Sequence, residues 1–321
     1  PIDPDWFDQI SEPGWQYKWL ENFAAHFSGI GIPEVDLVAD GWTDMSRRMR
    51  AKMVDLPPEQ LNPEGILAAF EETDHQKMEE IRARAEAIVN DKETAEKLKA
   101  WYRQLCKRPC FHDAYLQSFN NPNTHLIDTD GKGVERITEN GLVVSGKEYE
   151  ADCIIYASGF EVGTSYQRRS GFDTIGKNCV KLSDYWAEGM RSLHGIHVHG
   201  FPNMFIVHPA QGANLISNVP HNLVDSAKSI SAIVSHTLQS GHRTNEVTEQ
   251  AEDDWLALLS TGMGLIIGGT ECTPGYYNNE GQGWEGTPAA LGTGYPAGAV
   301  AYFNYIDGWR NSGKFEGLAF N

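Results

Sequence analysis

Two adjacent cations, Lys107 and Arg108, stand at the end of a predicted helix and directly before Pro109. Proline pushes the preceding residue towards an extended backbone, on which neighbouring side chains point to opposite sides. One cation could therefore grip a phosphate while the other reaches a different anion in the same cleft. Such pairs are also ordinary solvated surface features. The position of this pair between a helical and a β-rich segment, where an interdomain cleft would lie, favours a functional role.

The stretch Asp152–Phe160 is an apolar run, rich in β-branched and aromatic residues, that ends at Ala157, Ser158 and Gly159. The run predicts a buried strand. Small residues directly after a strand allow the backbone to come close to a bound ligand. The sequence therefore predicts a ligand contact at residues 157–159.

A third candidate segment, His208–Asn214, leaves another predicted strand for small and polar residues. Its lack of bulk gives room for a ligand, which Gln211 and Asn214 could hydrogen-bond. An ordinary surface loop explains the same residues equally well.

Other signatures of chemistry are weak. Gly29-Ile30-Gly31 lacks the third glycine of a phosphate-binding Gly-x-Gly-x-x-Gly loop, and Gly262-Met263-Gly264 follows a predicted helix where a strand is required. His194, His197 and His199 have no cysteine or carboxylate at ligand spacing. They are interpreted as polar residues at a strand edge, and no metal site is predicted.

Composition narrows the possible partners. The 321 residues carry a formal net charge of -18, which repels nucleic acid and anionic lipid. The sequence has no apolar run long enough for a membrane span. Its five cysteines are an odd set without disulfide-like spacing, so free thiols in a reducing, cytoplasmic setting are expected.

The pattern of elements predicts an α/β fold. Helices are predicted over residues 17–27, through most of 43–105 with the last over 92–105, and over 222–239, 246–259 and 297–310. Strands are predicted over 124–128, 134–138, 142–144, 147–156 and 204–208, the middle ones forming a β-meander with turns at Asn140-Gly141 and Ser145-Gly146. Residues 260–298 read as a long glycine-rich, aromatic loop.

In this order and at these spacings, several motifs resemble the C-terminal half of a Baeyer–Villiger monooxygenase, a class B flavoprotein. They are Cys-Lys-Arg-Pro-Cys at 106–110, Phe-Asn-x-Pro-Asn-x-His-Leu at 119–126, the 152–160 run, residues 200–220, Cys-Thr-Pro-Gly-Tyr-Tyr-Asn at 272–278 and the segment 302–310.

The resemblance implies part of a flavoprotein with two dinucleotide-binding domains. Residues 1–106 would be a helical part of the NADP domain. Residues 107–321 would be the C-terminal part of the FAD domain, with the closing loop and a C-terminal helix. FAD and NADPH would be the cofactors, and one oxygen atom of O2 would be inserted beside a ketone carbonyl to give an ester or lactone.

The resemblance also implies roles for single residues. Lys107 would contact the 2′-phosphate of NADP, and Arg108 would be the catalytic cation over the flavin. Ala157, Ser158 and Gly159 would pass close to FAD; the family more often has threonine in place of Ser158. The substrate side of the flavin would be lined by Gln211, Gly212, Ala213, Asn214 and Leu215. Residues 260–298 would form the mobile loop that closes over NADP, the closing loop. Either Tyr276 or Trp284 would replace the tryptophan that many members carry in it.

The family's two nucleotide-binding glycine loops belong to an N-terminal half that this sequence lacks, so a fragment that needs this half as its partner is expected. Two alternatives remain. One is a related class B enzyme that oxygenates nitrogen or sulfur; the other is a catalytically silent, truncated binding module.

Overall fold

The computed structural model describes residues 3–27, 33–159, 166–208, 210–213, 217–262, 272–275, 278, 281 and 294–321. Both weak glycine motifs lie wholly or partly outside these ranges, as does most of the predicted 260–298 loop. Within the described ranges, every helix is too short or too polar to cross a bilayer.

The N-terminal part is helical, as predicted. It contains α1 (Pro4–Ile10), α2 (Trp15–His26), α3 (Asp44–Asp55), α4 (Pro63–Ile88) and α5 (Lys92–Lys97). Asn62 and Asp91 cap α4 and α5 by accepting the Gly65 and Thr94 N–H groups at 3.0 and 2.8 Å. α3 packs along α4, where Arg48 pairs with Glu80 at 2.7 Å.

The predicted helix over 92–105 is wrong beyond Lys97. The chain continues without regular structure to a 3₁₀ turn at Gln104–Cys106. The cause is tertiary contact, because side chains of α4 hydrogen-bond the backbone of this segment. Arg82 donates to the Ala100 carbonyl at 2.8 Å, and Asp74 accepts the Gln104 N–H at 3.0 Å. These bonds replace the intrahelical ones that helix propensity would favour.

After α6 (Tyr115–Ser118), three short strands pair antiparallel in chain order: β1 (Arg136–Ile137), β2 (Gly141–Val144) and β3 (Lys147–Glu150). Ser145 and Gly146 both have positive φ, 49° and 76°, as a two-residue hairpin turn requires. No strand forms over 124–128, and that prediction is wrong.

The prediction of a buried strand leading to residues 157–159 is also wrong for this chain. β3 ends at Glu150, and Ile155 and Tyr156 are 85% and 76% exposed. A strand needs a neighbour to satisfy its N–H and C=O groups. Among the described strands, none pairs with residues 151–159. Here the run is an apolar segment that faces outwards.

The C-terminal part begins with α7 (Tyr166–Ser170) and α8 (Leu182–Tyr185) and is built mainly on α9 (Val219–Gln239), α10 (Glu249–Leu259) and α11 (Ala299–Asn311). The last three match the predicted helices closely. β4 (Asn245–Val247) and β5 (Leu318–Phe320) pair antiparallel. Residues 204–208 are not a regular strand, contrary to prediction. Aromatic side chains from α10 and α11, including Trp255, Tyr302 and Trp309, form the core with Ile233 of α9.

His194 and His197 lie inside this core rather than at a strand edge, which corrects the sequence interpretation. The His194 ring meets the edges of Trp255 and Trp309 with centroids 4.7 and 4.9 Å apart, and its Nε2 lies 3.1 Å from the Tyr305 hydroxyl. Burial lowers the pKa of His194 well below its usual 6.5 and lowers the pKa of His197 to about 3. Both imidazoles are therefore neutral in the folded protein.

Glu252 of α10 is a fully buried carboxylate that ties α10 to residues 185–199. Its Oε2 accepts the Tyr185 hydroxyl at 2.6 Å and the Arg191 Nε–H at 3.3 Å, and its Oε1 accepts the His199 N–H at 3.0 Å. Burial and the bond to Glu252 raise the pKa of Tyr185 to about 12. The neighbouring Asp253, on the exposed side of α10, also pairs with Arg191.

The neutral histidines predict that the protein loses stability in acid. An unfolded chain binds a proton on each imidazole below about pH 6.5, whereas folded His197 stays neutral to about pH 3. The free energy of unfolding should therefore fall as the pH drops from 6.5 towards 3, by about 1.4 kcal/mol per pH unit for His197, with a further loss in the same direction from His194. Urea titrations between about pH 7.5 and about pH 5 measure this slope. His75→Gln, at an exposed position, should leave the slope unchanged; a flat profile over this range would contradict the prediction.

The hydrogen bonds of Glu252 predict that two neighbouring variants lose different amounts of unfolding free energy. Glu252→Ala leaves Tyr185, Arg191 and the His199 N–H without their acceptor, and should lower the free energy of unfolding by about 2–3 kcal/mol. Asp253→Ala removes an exposed ion pair on the same helix and should cost about 1 kcal/mol or less. Urea denaturation compares the two, and equal losses would mean that the buried network contributes nothing beyond surface charge.

Candidate functional site

The segment that leads to Lys107 and Arg108, residues 98–106, is held in place by α4. Asp74 and Arg82, both buried on this helix, hold the backbone at Gln104 and Ala100, and the Arg82 guanidinium lies 4.7 Å from the Trp101 ring centre. Burial raises the pKa of the Asp74 carboxyl, and the Gln104 N–H counters part of that rise. The two cations thus follow a non-helical segment that α4 side chains hold at residues 100, 101 and 104.

Cys106 is joined to Cys272 by a disulfide across 166 positions of sequence, with the two Cα atoms 5.3 Å apart. The expectation that all cysteines are free is therefore wrong. The sequence could not reveal the pair, because nothing in its spacing distinguishes these two cysteines from the exposed thiols Cys110, Cys153 and Cys179.

Lys107 continues from the disulfide on an extended backbone, with φ of -125° and ψ of 158°. Its ammonium group donates to the carbonyl oxygens of Thr273, at 3.2 Å, and Pro274. Gly275 follows so closely that a Cβ added there would lie 2.6 Å from Lys107 Nζ. Lys107 is thereby placed against residues 273–275, within the predicted 260–298 loop.

Arg108 is exposed, and its guanidinium carbon lies 5.8 Å from the centre of the Trp42 ring. Trp42 in turn meets Phe111 edge-on at 5.3 Å. A Cβ on Gly41 would come within 2.5 Å of the Phe111 ring, so glycine there gives Phe111 room. An aromatic platform therefore supports the charge of Arg108.

Ala157, Ser158 and Gly159 are exposed at the end of the apolar run. Gly159 has φ of +96°, a conformation open to glycine at little cost, and a Cβ added there would meet no described atom within 4 Å. The backbone at these residues is accessible to a ligand.

The predicted substrate segment is partly described; Asn214 and Leu215 lie outside the described residues. Gln211 is fully buried with φ of +59°. Its carboxamide accepts from the Ser192 hydroxyl and donates to the Met190 carbonyl, while its backbone oxygen accepts the Trp255 indole N–H at 3.0 Å. Gly212 packs against Tyr302, and Ala213 is buried in the core. The side chain of Gln211 is thus held by protein groups.

The structure brings Lys107 together with residues 272–275, and Arg108 together with Trp42. Residues 210–213 pack against α10 and α11, apart from these two contacts. Sequence reasoning missed Trp42, and it missed Asn278, which is buried and hydrogen-bonds residues 272, 275 and 281. A lone tryptophan after a glycine carries no recognisable signal. Asn278 lies in the quoted 272–278 motif, but its role depends on bonds that only the fold reveals. Tyr276 and Trp284 lie outside the described residues.

Known proteins resemble this chain over nearly its whole length. Neopentalenolactone D synthase of Streptomyces avermitilis is 42% identical over 321 residues, covering 99% of the chain and 53% of that protein. Baeyer-Villiger monooxygenase 4 of Dietzia sp. is 40% identical over 322 residues, covering 99% and 51%. No protein-family profile matches the chain.

Solved structures agree. The polycyclic ketone monooxygenase of the fungus Thermothelomyces thermophila has a TM-score of 0.85 at 33% identity, covering 100% of this chain and 53% of that one. OTEMO, solved with FAD and NADP, shares the fold at 18% identity with a TM-score of 0.66, covering 100% and 59%. The chain spans about half the length of the curated relatives that it matches. Identity at this level across almost every residue shows that the chain is homologous to about half of a Baeyer–Villiger monooxygenase.

Proposed function

We propose that this chain is the C-terminal half of an NADPH- and FAD-dependent enzyme that inserts one oxygen atom beside a ketone carbonyl. Residues 1–106 would belong to the NADP domain and residues 107–321 to the FAD domain. The observation that carries the proposal is the placement of Lys107 and Arg108. The two adjacent cations have separate supports, one against residues 273–274 and the other against Trp42.

The chemistry of the described residues fits both cofactors. A lysine and an arginine supply the charges that phosphate and oxyanion groups require. Residues 157–159 offer small side chains and an accessible backbone for a flat ring system. The outward-facing Ile155 and Tyr156 support a further segment that covers them, as the missing N-terminal half would. FAD, once reduced by NADPH, would supply the activation of O2, which amino-acid side chains cannot provide.

The role of Arg108 follows from its charge. A guanidinium stays protonated at any working pH, so it can meet an oxyanion that develops on the substrate without first gaining a proton. The Trp42 platform restricts where the guanidinium lies, which reduces the reorganisation needed during the reaction. The Lys107 ammonium group, which donates to two carbonyl oxygens, lies beside residues 273–275, where it would bind the 2′-phosphate of NADPH.

Arg108→Ala in the protein that carries both halves should abolish ester formation from a ketone while FAD stays bound. Loss of one preorganised charge typically costs on the order of 3 kcal/mol in the transition state, or about a hundredfold or more in kcat. Product analysis gives the rate, and flavin absorbance gives the FAD content. Arg136→Ala, at an exposed strand residue, is the matched control. Unchanged ester formation by Arg108→Ala would remove Arg108 from the site; N- or S-oxides in place of esters from the parent protein would favour the related oxygenase class.

Lys107→Ala should chiefly raise KM for NADPH, by roughly tenfold or more, because one charge-assisted phosphate contact is lost. The kcat at saturating NADPH should change much less. Steady-state kinetics separate the two constants. Lys132→Ala removes an exposed lysine elsewhere and should change neither; if KM for NADPH is the same in Lys107→Ala and Lys132→Ala, Lys107 does not bind the cofactor.

A further inference from the structure

The Cys106–Cys272 disulfide joins two segments that lie far apart in sequence, immediately beside a predicted cofactor contact. Both cysteines are buried, whereas Cys110, Cys153 and Cys179 are exposed free thiols. On one side the bond ends the anchored 100–106 segment, and on the other it holds residue 272, which lies within the 260–298 loop. The residue after each cysteine, Lys107 or Thr273, takes part in the next contact.

Three kinds of contact hold residues 272–275 in place. The disulfide fixes Cys272, and the Lys107 ammonium group binds the next two carbonyl oxygens. From the other side, Asn278 donates to the Cys272 carbonyl at 3.0 Å and accepts the N–H groups of Gly275 and Gly281 at 3.0 and 3.1 Å. Asn278 belongs to the same loop and gives the turn its shape. The disulfide and the Lys107 ammonium group attach that turn to the 106–107 segment.

We propose that the Cys106–Cys272 disulfide is a reversible redox latch that seats residues 272–275 on Lys107. When the disulfide is closed, the turn and the ammonium group keep a fixed relative position. When it is reduced, the turn is attached through the Lys107 hydrogen bonds, so the position of the ammonium group becomes less restricted. The consequence for NADPH rests on the proposed function: the closed latch preorganises Lys107 for the 2′-phosphate, and opening the latch weakens NADPH binding.

The reaction is thiol–disulfide exchange with a low-molecular-weight disulfide. One cysteine thiolate attacks the small disulfide, whose S–S bond breaks and releases one small thiol after protonation. The second cysteine thiolate then attacks the mixed disulfide and releases a second small thiol. Two electrons pass from the protein cysteines to the small disulfide. Excess small thiol runs the same steps in reverse.

The test equilibrates the flavin-loaded protein carrying both halves in buffers of stepped oxidised and reduced glutathione. At each ratio, alkylation and mass spectrometry give the fraction of Cys106–Cys272 disulfide, hydrogen exchange gives the protection of residues 272–275, and titration gives the Kd for NADP+. All three should change together, with NADP+ bound about tenfold more weakly by the reduced protein. Cys106→Ser and Cys272→Ser should behave like the reduced protein at every ratio. Cys179→Ser, at an exposed free thiol, should behave like the parent.

Two results would overturn the latch. One is a disulfide that does not change over the whole glutathione range; the other is a disulfide that opens without loss of hydrogen-exchange protection in residues 272–275. If protection follows the redox state while NADP+ binds in neither state, the latch stands and the proposed cofactor role of Lys107 fails. If protection follows the redox state and NADP+ binds with one constant Kd throughout, the coupling of the latch to NADPH is wrong.

Discussion

Burial of the neutral His194 ring is the constraint on which the C-terminal part of the structure depends. α10 contributes Trp255 to its surroundings, α11 contributes Tyr305 and Trp309, and the His194 carbonyl accepts the Tyr302 hydroxyl at 3.1 Å. A charged imidazole here would have to leave water without a counter-charge among these aromatic rings. The packing of both helices against residues 190–213 therefore requires that the ring stay unprotonated.

The Lys107–Arg108 segment is positioned by a different principle. Its approach has lost helical hydrogen bonds and is held instead by side chains of α4, chiefly Asp74 and Arg82. Next along the chain, Lys107 is held by the adjacent disulfide and by hydrogen bonds to two carbonyl oxygens. The Arg108 guanidinium is held by an aromatic ring. Two neighbouring side chains are thereby given independent environments. A site that must treat two anionic groups differently needs this independence.

Much of the architecture could be predicted from sequence where the signal is local. The helices around Ile233 and Ile306 and the turn at Ser145-Gly146 follow from helix-forming residues, helix-ending signals and turn residues, and the structure has them close to their predicted bounds. The failures arise where distant residues decide the outcome. The backbone at 98–105 is held by hydrogen bonds from α4 side chains. The 152–156 run lacks a described neighbouring strand to pair with. The cysteine that pairs with Cys106 lies 166 positions away. For the site, the adjacent cations were recognisable by type, but the groups that contact them, the Trp42 ring and the carbonyl oxygens of Thr273 and Pro274, were not.

Gln211 shows how far a single position can be restricted. Its backbone needs a positive φ, which glycine and, to a lesser degree, asparagine tolerate best. Its side chain needs a carboxamide long enough to reach both Ser192 and Met190. Glycine would relieve the backbone and lose both bonds; asparagine would ease the backbone but is one methylene shorter; glutamate would keep the length but bring a buried charge and no N–H. The residues that suit the backbone differ from those that suit the side-chain bonds, and glutamine is the residue that keeps both side-chain bonds without a buried charge. A combinatorial library aimed at this region would therefore retain more folded members if it varied the residues around position 211 and left that codon unchanged.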